Sequence, residues 1–152
     1  FTPAGPDHAQ IAACAGIADY IDTLHQHHGG SSSASATERG EFVHDLMRDH
    51  ETKIMPPLLE WASNKNSVRL LGPDKAGLRA PTIALDIKQD PKDITNKLAQ
   101  KGIMAGSGDF YAVRALEAHD IDTSKGVLRL SYVHYTNREE IEKLVDALDC
   151  SI

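Results

Sequence analysis

The chain is poor in cysteine: Cys14 and Cys150 are its only two, far apart and outside any C-x-x-C pattern. That argues against a disulfide framework or a zinc ribbon and makes a reducing, cytoplasmic setting the expectation. No apolar run approaches the roughly 18–20 residues of a membrane-spanning helix, and the start lacks the basic-then-apolar layout of a signal peptide, so no membrane partner is expected. Positive charge is not in excess either. Sixteen Lys and Arg stand against 22 Asp and Glu, interspersed, for a net charge of −6; an acidic chain without a basic stripe is a poor nucleic-acid ligand. An initiator methionine is also lacking, since the sequence opens at Phe1. The expectation is a fragment or a processed product.

What is present is ordinary globular material. Hydrophobic residues make up 41% and charged residues 25%, and 152 residues suit one domain with a sizeable core. The opening Phe1 to His8, with two prolines and a glycine, reads as an ordered loop. Ile11, Cys14, Ile17, Ala18, Ile21 and Leu24 recur at helical steps from about Asp7 to His27, and Gly29-Gly30 stops them. The serine-rich run 29–36 reads as a flexible linker or exposed loop.

Ser35-x-x-Glu38 is a capping box for a second helix. Its stripe includes Phe42, Val43, Leu46, Met47, Ile54, Met55, Leu58, Leu59 and Trp61, and Pro56-Pro57 should kink or split it. Val68 to Leu71 and Thr82 to Ile87 read as strands. Asp90-Pro91 opens a helix, with Ile94, Leu98 and Ala99 toward the core, and Lys101-Gly102 closes it. Ile103-Met104-Ala105 reads as a brief strand, followed by a glycine-punctuated loop 106–111 and a short helix through Val113, Leu116 and Ala118. Val127 to Val133 alternates, placing Leu128, Leu130 and Tyr132 on one face and Arg129 with Ser131 on the other. Thr136-x-x-Glu139 is a capping box for a final helix carrying Ile141, Leu144, Val145 and Leu148. The order implies an α+β fold: a small mixed or antiparallel sheet covered by helices on one face. The domain expectation is a single unit 1–152: opening loop and linking helix 1–28, loop 29–36, and an α+β body 37–152.

Several side chains invite a chemical reading. Arg129, fixed on a strand, can grip a carboxylate with two parallel hydrogen bonds, or can be a structural arginine paired with a neighbouring acid. His25, His27 and His28 are either a metal cluster or imidazoles favoured by a helix C-terminus. His44, Asp49, His50 and Glu51 are acid/base candidates or the solvated face of a long helix. Gly106 and Gly108 could cradle a phosphate or simply shape a turn, because neither G-x-G-x-x-G nor a P-loop lysine is present.

Gly102-Ile103, Ser107-Gly108, Tyr111-Ala112, the run Val127 to Ser131, and His134-Tyr135 together resemble the C-terminal small domain of the class V aminotransferase superfamily. The likeness is greatest to cysteine desulfurase-like and isopenicillin-N epimerase-like proteins. It extends back through Val68 to Pro73, Arg79 to Thr82, and Gly5 to Ala9. The resemblance implies a homodimeric enzyme whose pyridoxal phosphate is carried by a lysine of a large domain, while the small domain supplies an arginine for the amino-acid substrate's α-carboxylate. On this chain that arginine is Arg129. Tyr111 stands where desulfurases place their sulfur-accepting cysteine, and Gly106 stands at about the place of another arginine of the desulfurase loop, so persulfide chemistry is not implied. Gly5 occupies the place of a threonine that reaches the cofactor phosphate, with Thr2 nearby as a substitute.

None of the nine lysines stands in the histidine-lysine context that carries the cofactor. The implied partner is therefore a missing N-terminal large domain, and a surface left uncovered by it, at the first helix and around Arg129, implies self-association. Two other readings remain open on the sequence: a free-standing α+β interaction module, and a metal-dependent hydrolase using the histidines.

Overall fold

The structure, a computed structural model, describes Gly5 and residues 7–152. Contacts gather into two units, Phe1–Asp49 and His50–Ile152, with the boundary inside one helix.

The first unit holds α1 (His8–Ala13), α2 (Ala15–His27) and most of α3 (Ala36–Ile54). Asp7 caps α1 through its side chain, and the helical pattern expected from Asp7 to His27 is divided only around Cys14. The apolar stripe of these helices is largely uncovered: Ile11 is 59% exposed and Ile17 65%. His25 alone is buried in α2, with Phe42 edge-on at 5.1 Å. Gly30 permits this, since a Cβ there would fall inside the His25 ring. The serine run forms a tied turn. Ser31 and Ser33 hydroxyls bond at 2.9 Å, and Arg39 reaches both the Ala34 carbonyl and Asp22, the latter at 2.6 Å. The Ser35–Glu38 capping box forms as expected.

In the second unit, α3 ends at Ile54 and α4 (Pro56–Asn64) begins on the proline pair. Proline at the first helical positions lacks only donors that would have no partner there, so the chain starts a new helix at the break. The strands β1 (Val68–Leu71), β2 (Thr82–Ile87), β3 (Gly106–Gly108) and β4 (Val127–Ser131) form an antiparallel sheet in the order β1-β2-β4-β3. Ile83, Leu85, Leu128 and Leu130 lie on one face, all essentially fully buried, against α4, α5 (Pro91–Gln100) and α7 (Arg138–Asp149). Fully burying one such side chain is favourable by about 1.5–3 kcal/mol. The short α6 (Val113–Ala118) lies against the second face, where Leu116, Ile121 and Val127 make a smaller cluster with Leu71, Ala84 and Phe110.

Three local expectations are corrected. The third strand is Gly106–Gly108, not 103–105: Ile103 and Ala105 turn into the main core instead, while only the glycine segment pairs with β4. Ala99 is exposed, because the core face of α5 follows Pro91, Ile94 and Leu98. The last capping box is Asn137–Glu140, one residue later than expected. Thr136 is occupied elsewhere: its hydroxyl accepts the Val133 N–H, and its carbonyl accepts a 2.7 Å bond from His50 Nε2. Asn137→Ala should cost about 0.5–2 kcal/mol, read as a shifted urea midpoint with unchanged slope.

Asp149 joins α7 to α4. Its carboxyl is held below the ordinary carboxylate value, first by the hydrogen bond from Lys65, then by that from Trp61. A lowered pKa means the contribution is present above the unfolded value and lost as pH falls through the folded one. Lys65→Met should raise the Asp149 pKa toward its ordinary value, measurable by NMR titration, and flatten the acid limb of the stability profile.

Candidate functional site

Arg129 projects from β4 on the sheet face away from the main helical layer, and it is exposed. Its surroundings follow from the register. Directly across on β2 is Ala84 and directly across on β3 is Gly106, so neither neighbour offers a polar side chain. The acid one step further along β2, Asp86, faces Arg69 at 3.9 Å, and Thr82 bonds Ser131 at 3.2 Å. No hydrogen bond or ion pair holds the Arg129 guanidinium among the described residues. Its contact is the face of Phe110, with Cζ 3.8 Å from the ring centroid, a cation–π geometry. The structural-arginine alternative, which required a neighbouring acid, is therefore not what the fold provides.

Arg79, by contrast, is a structural arginine held by backbone carbonyls. Its guanidinium donates to the carbonyls of Pro73 at 2.6 Å, Thr82 at 3.0 Å and Leu71 at 3.3 Å. Desolvation lowers its pKa, partly countered by Tyr132. It stitches the 72–82 loop and has little capacity left for a ligand.

Phe110 reaches Arg129 from a strained turn. Phe110 has φ +50° and Tyr111 φ +60°, the left-handed region that side chains with a Cβ rarely adopt. Asp109 steadies it by accepting the Tyr111 N–H at 3.0 Å. Gly106 leaves room on the opposite side, where a Cβ would stand about 3.0 Å from the tip of the Phe110 ring. Between the Phe110 turn, α6 and the sheet lies a cavity of about 310 Å³, with Arg129 on its wall.

The expected site residues are thus only partly assembled. Gly106 lies directly beside Arg129, and Gly108 lies on the same sheet face, opposite Val127. Ser107 pairs with Leu128 and so belongs to the opposite, helix-covered face. Tyr111 is fully exposed at the turn's tip, and its neighbour Phe110, unremarked in the sequence, meets the arginine instead. Gly5 is exposed at φ +97° with open space around it; Thr2 lies outside the described residues. Of the acid/base candidates, His44 and Asp49 are exposed. His50 and Glu51 are half-buried: His50 holds the Thr136 carbonyl, and the Glu51 backbone carbonyl accepts the Tyr132 hydroxyl at 3.4 Å. His25 is buried while His27 and His28 are exposed and touch each other, and no three metal-ligating side chains gather among the described residues. No helix among the described residues is long and apolar enough to cross a membrane.

The family profile of class-V aminotransferases matches residues 32–144. The chain belongs to the aminotransferase class-V family. Among relatives of this class-V chain, an aminotransferase-like protein of Gibberella zeae is 28% identical over 112 residues, covering 69% of this chain and 27% of that protein. A probable cysteine desulfurase of Aeropyrum pernix is 27% identical over 106 residues, covering 69% and 24%. Among solved structures, a cysteine desulfurase of Thermococcus onnurineus superposes with a TM-score of 0.64 at 20% identity over 75% of this chain and 28% of that one. The chain thus spans about a quarter of the length of the curated relatives it matches.

Class-V aminotransferases depend on pyridoxal phosphate. Holding that cofactor takes an amine for its aldehyde, a carboxylate for its ring nitrogen and N–H groups for its phosphate. No lysine lines the cavity beside Arg129, and Gly106 and Gly108 are drawn into a strand rather than an open loop. The described residues do not by themselves fit as a cofactor cradle. What they do offer is an unpaired guanidinium on a rigid strand.

Proposed function

We propose that this chain is the C-terminal domain of a larger pyridoxal phosphate-dependent class-V enzyme acting on an amino acid, and that Arg129 fixes the substrate's α-carboxylate. The observation that supports it most is the unpaired state of Arg129: its cross-strand neighbours are Ala84 and Gly106, and an aromatic ring, not an acid, orients it. A guanidinium held in plane by Phe110 accepts a carboxylate bidentately with little reorganisation. Fixing that carboxylate orients the rest of the substrate toward chemistry performed by groups outside this chain. Gly106, Gly108 and Tyr111 shape the rim of this site, Ser107 anchors β3 behind it, and Gly5 or Thr2 takes the role of the family's threonine toward the cofactor phosphate of a partner subunit. Tyr111 offers no thiol where desulfurases place their sulfur-accepting cysteine, so no persulfide is proposed at this position. The working assembly is a cytoplasmic homodimer.

Two measurements test this reading. The full-length protein in its source cells should be several times longer than 152 residues, and a native species of this length would instead favour a free-standing interaction module. The full-length protein should bind amino acids much better than the corresponding amino amides, which keep the side chain and lose the carboxylate charge; equal affinity would remove the role given to Arg129.

The uncovered stripe of α1 and α2 carries a further expectation. Exposed Ile11, Ile17 and Tyr20 leave apolar surface that monomers rarely keep. Multi-angle light scattering of the 152-residue chain should give a mass above that of a monomer, falling on Ile17→Lys.

A further inference from the structure

We propose that the cavity between α6 and the second face of the sheet is a side-chain subsite for the apolar, ring-sized tail of an amphiphilic monocarboxylate seated on Arg129. This rests on the reading of Arg129 as a carboxylate anchor and adds to it a substrate class: acids with aromatic or branched apolar side chains.

The cavity exists because small residues face each other across it. Ala84 forms its floor on β2, and Ala112 and Ala115 stand opposite, at the start of α6 and on it. Leu71, Phe110, Leu116 and Val127 close the remaining walls with hydrocarbon. Its volume, about 310 Å³, lies at the small end of ligand pockets, roughly 300–1,000 Å³. An apolar cavity of about 150 Å³ already accepts benzene, so there is room for one ring or branched chain.

Its polar groups sit asymmetrically. Arg129 is cationic and has no hydrogen-bond or ion-pair partner among the described residues. The one carboxylate on the lining, Asp109, accepts the Tyr111 N–H and is not within ion-pair distance of Arg129. His119 is the remaining titratable neighbour, and no lysine is present. Hydrocarbon walls with a single free cation select a ligand with one negative end and an apolar body, while a second charge on the tail would be buried without a partner. Phe110 serves both parts, stacking on the guanidinium and walling the cavity, so it couples carboxylate binding to tail burial.

The test is an NMR titration of the 152-residue chain with 3-phenylpropionate and with acetate. Arg129 Nε–Hε reports the anchor, and the methyl groups of Leu71, Leu116 and Val127 report the cavity. Expected is movement of both sets by 3-phenylpropionate, with a Kd at least tenfold below that of acetate, and movement of Arg129 alone by acetate. Ala115→Phe, at an exposed helix position, should fill the cavity, abolish the tenfold preference and leave acetate binding intact; should that variant fail to fold, Ala112→Leu makes the same test. Equal Kd values with silent methyls would overturn the subsite while leaving the Arg129 reading standing. Methyl shifts without an Arg129 shift would overturn the coupling proposed here. An Arg129 signal indifferent to both ligands would remove the anchor and this inference with it.

Discussion

Gly126→Ala is expected to be among the most damaging single substitutions in the chain, lowering stability by about 4 kcal/mol or more, a size reserved for a few identifiable mechanisms. Two of these act together. Gly126 has φ +68°, and placing alanine in the left-handed region costs about 1–2 kcal/mol. The larger effect is steric: a Cβ at Gly126 would coincide with the backbone of Gly108, lying only 2.1 Å from its carbonyl carbon. Backbone cannot rotate aside as a side chain can, so β3 would have to leave β4, taking with it the Gly106–Arg129 pairing. Gly102→Ala is the control. It has φ +75° but nothing within 4 Å of its Cβ, so only the conformational cost applies. Urea unfolding should separate the two variants by at least twofold in lost stability. Equal losses would mean that the contact between residues 108 and 126 relaxes readily.

The second large effect concerns Arg129 and is functional. Hydrogen bonds to charged groups contribute about 1.5–3 kcal/mol, so Arg129→Ala in the full-length protein should weaken amino-acid binding about 10- to 150-fold. Arg129→Lys should recover only part of this, because an ammonium keeps the charge but loses the fork that matches a carboxylate. Stability should hardly change, since the side chain is exposed and its known partner is an aromatic face, a contact of about 0.5–1 kcal/mol at exposed sites. The loss should also vanish when the ligand is an amino amide. An Arg129→Ala variant that binds amino acids and amides as the wild type does would sink the role.

The elements whose signals are local were legible in the sequence. Asp90 with Pro91, Ser35 with Glu38, and Pro56-Pro57 each mark a helix boundary through chemistry confined to a few residues, and all three stand where expected. Arg129 was legible as well, since alternation alone assigns its face. What could not be read was its company. Ala84 lies 45 positions upstream and Gly106 23 upstream, and only strand order and register bring them alongside. Phe110 was hidden for another reason. Its approach depends on two successive positive φ angles, which aromatic residues do not advertise, although a glycine opposite an arginine on a neighbouring strand is a usable hint of a ring lying between. The one-residue error in the last capping box has a similar origin, because His50 claims the Thr136 carbonyl from 86 positions away.

The empty space beside Arg129 also bears on how this chain can vary. A carboxylate introduced at Ala84, such as Ala84→Asp, would lie directly across from the guanidinium and satisfy it internally. The sheet would survive and so would the arginine, yet the site would be silenced by a bond within the protein itself. On the role proposed for Arg129, the site is kept open by two of the least conspicuous side chains in the sequence, a methyl group and a hydrogen atom. Ala84→Asp should therefore lower carboxylate binding while Arg129 itself is kept.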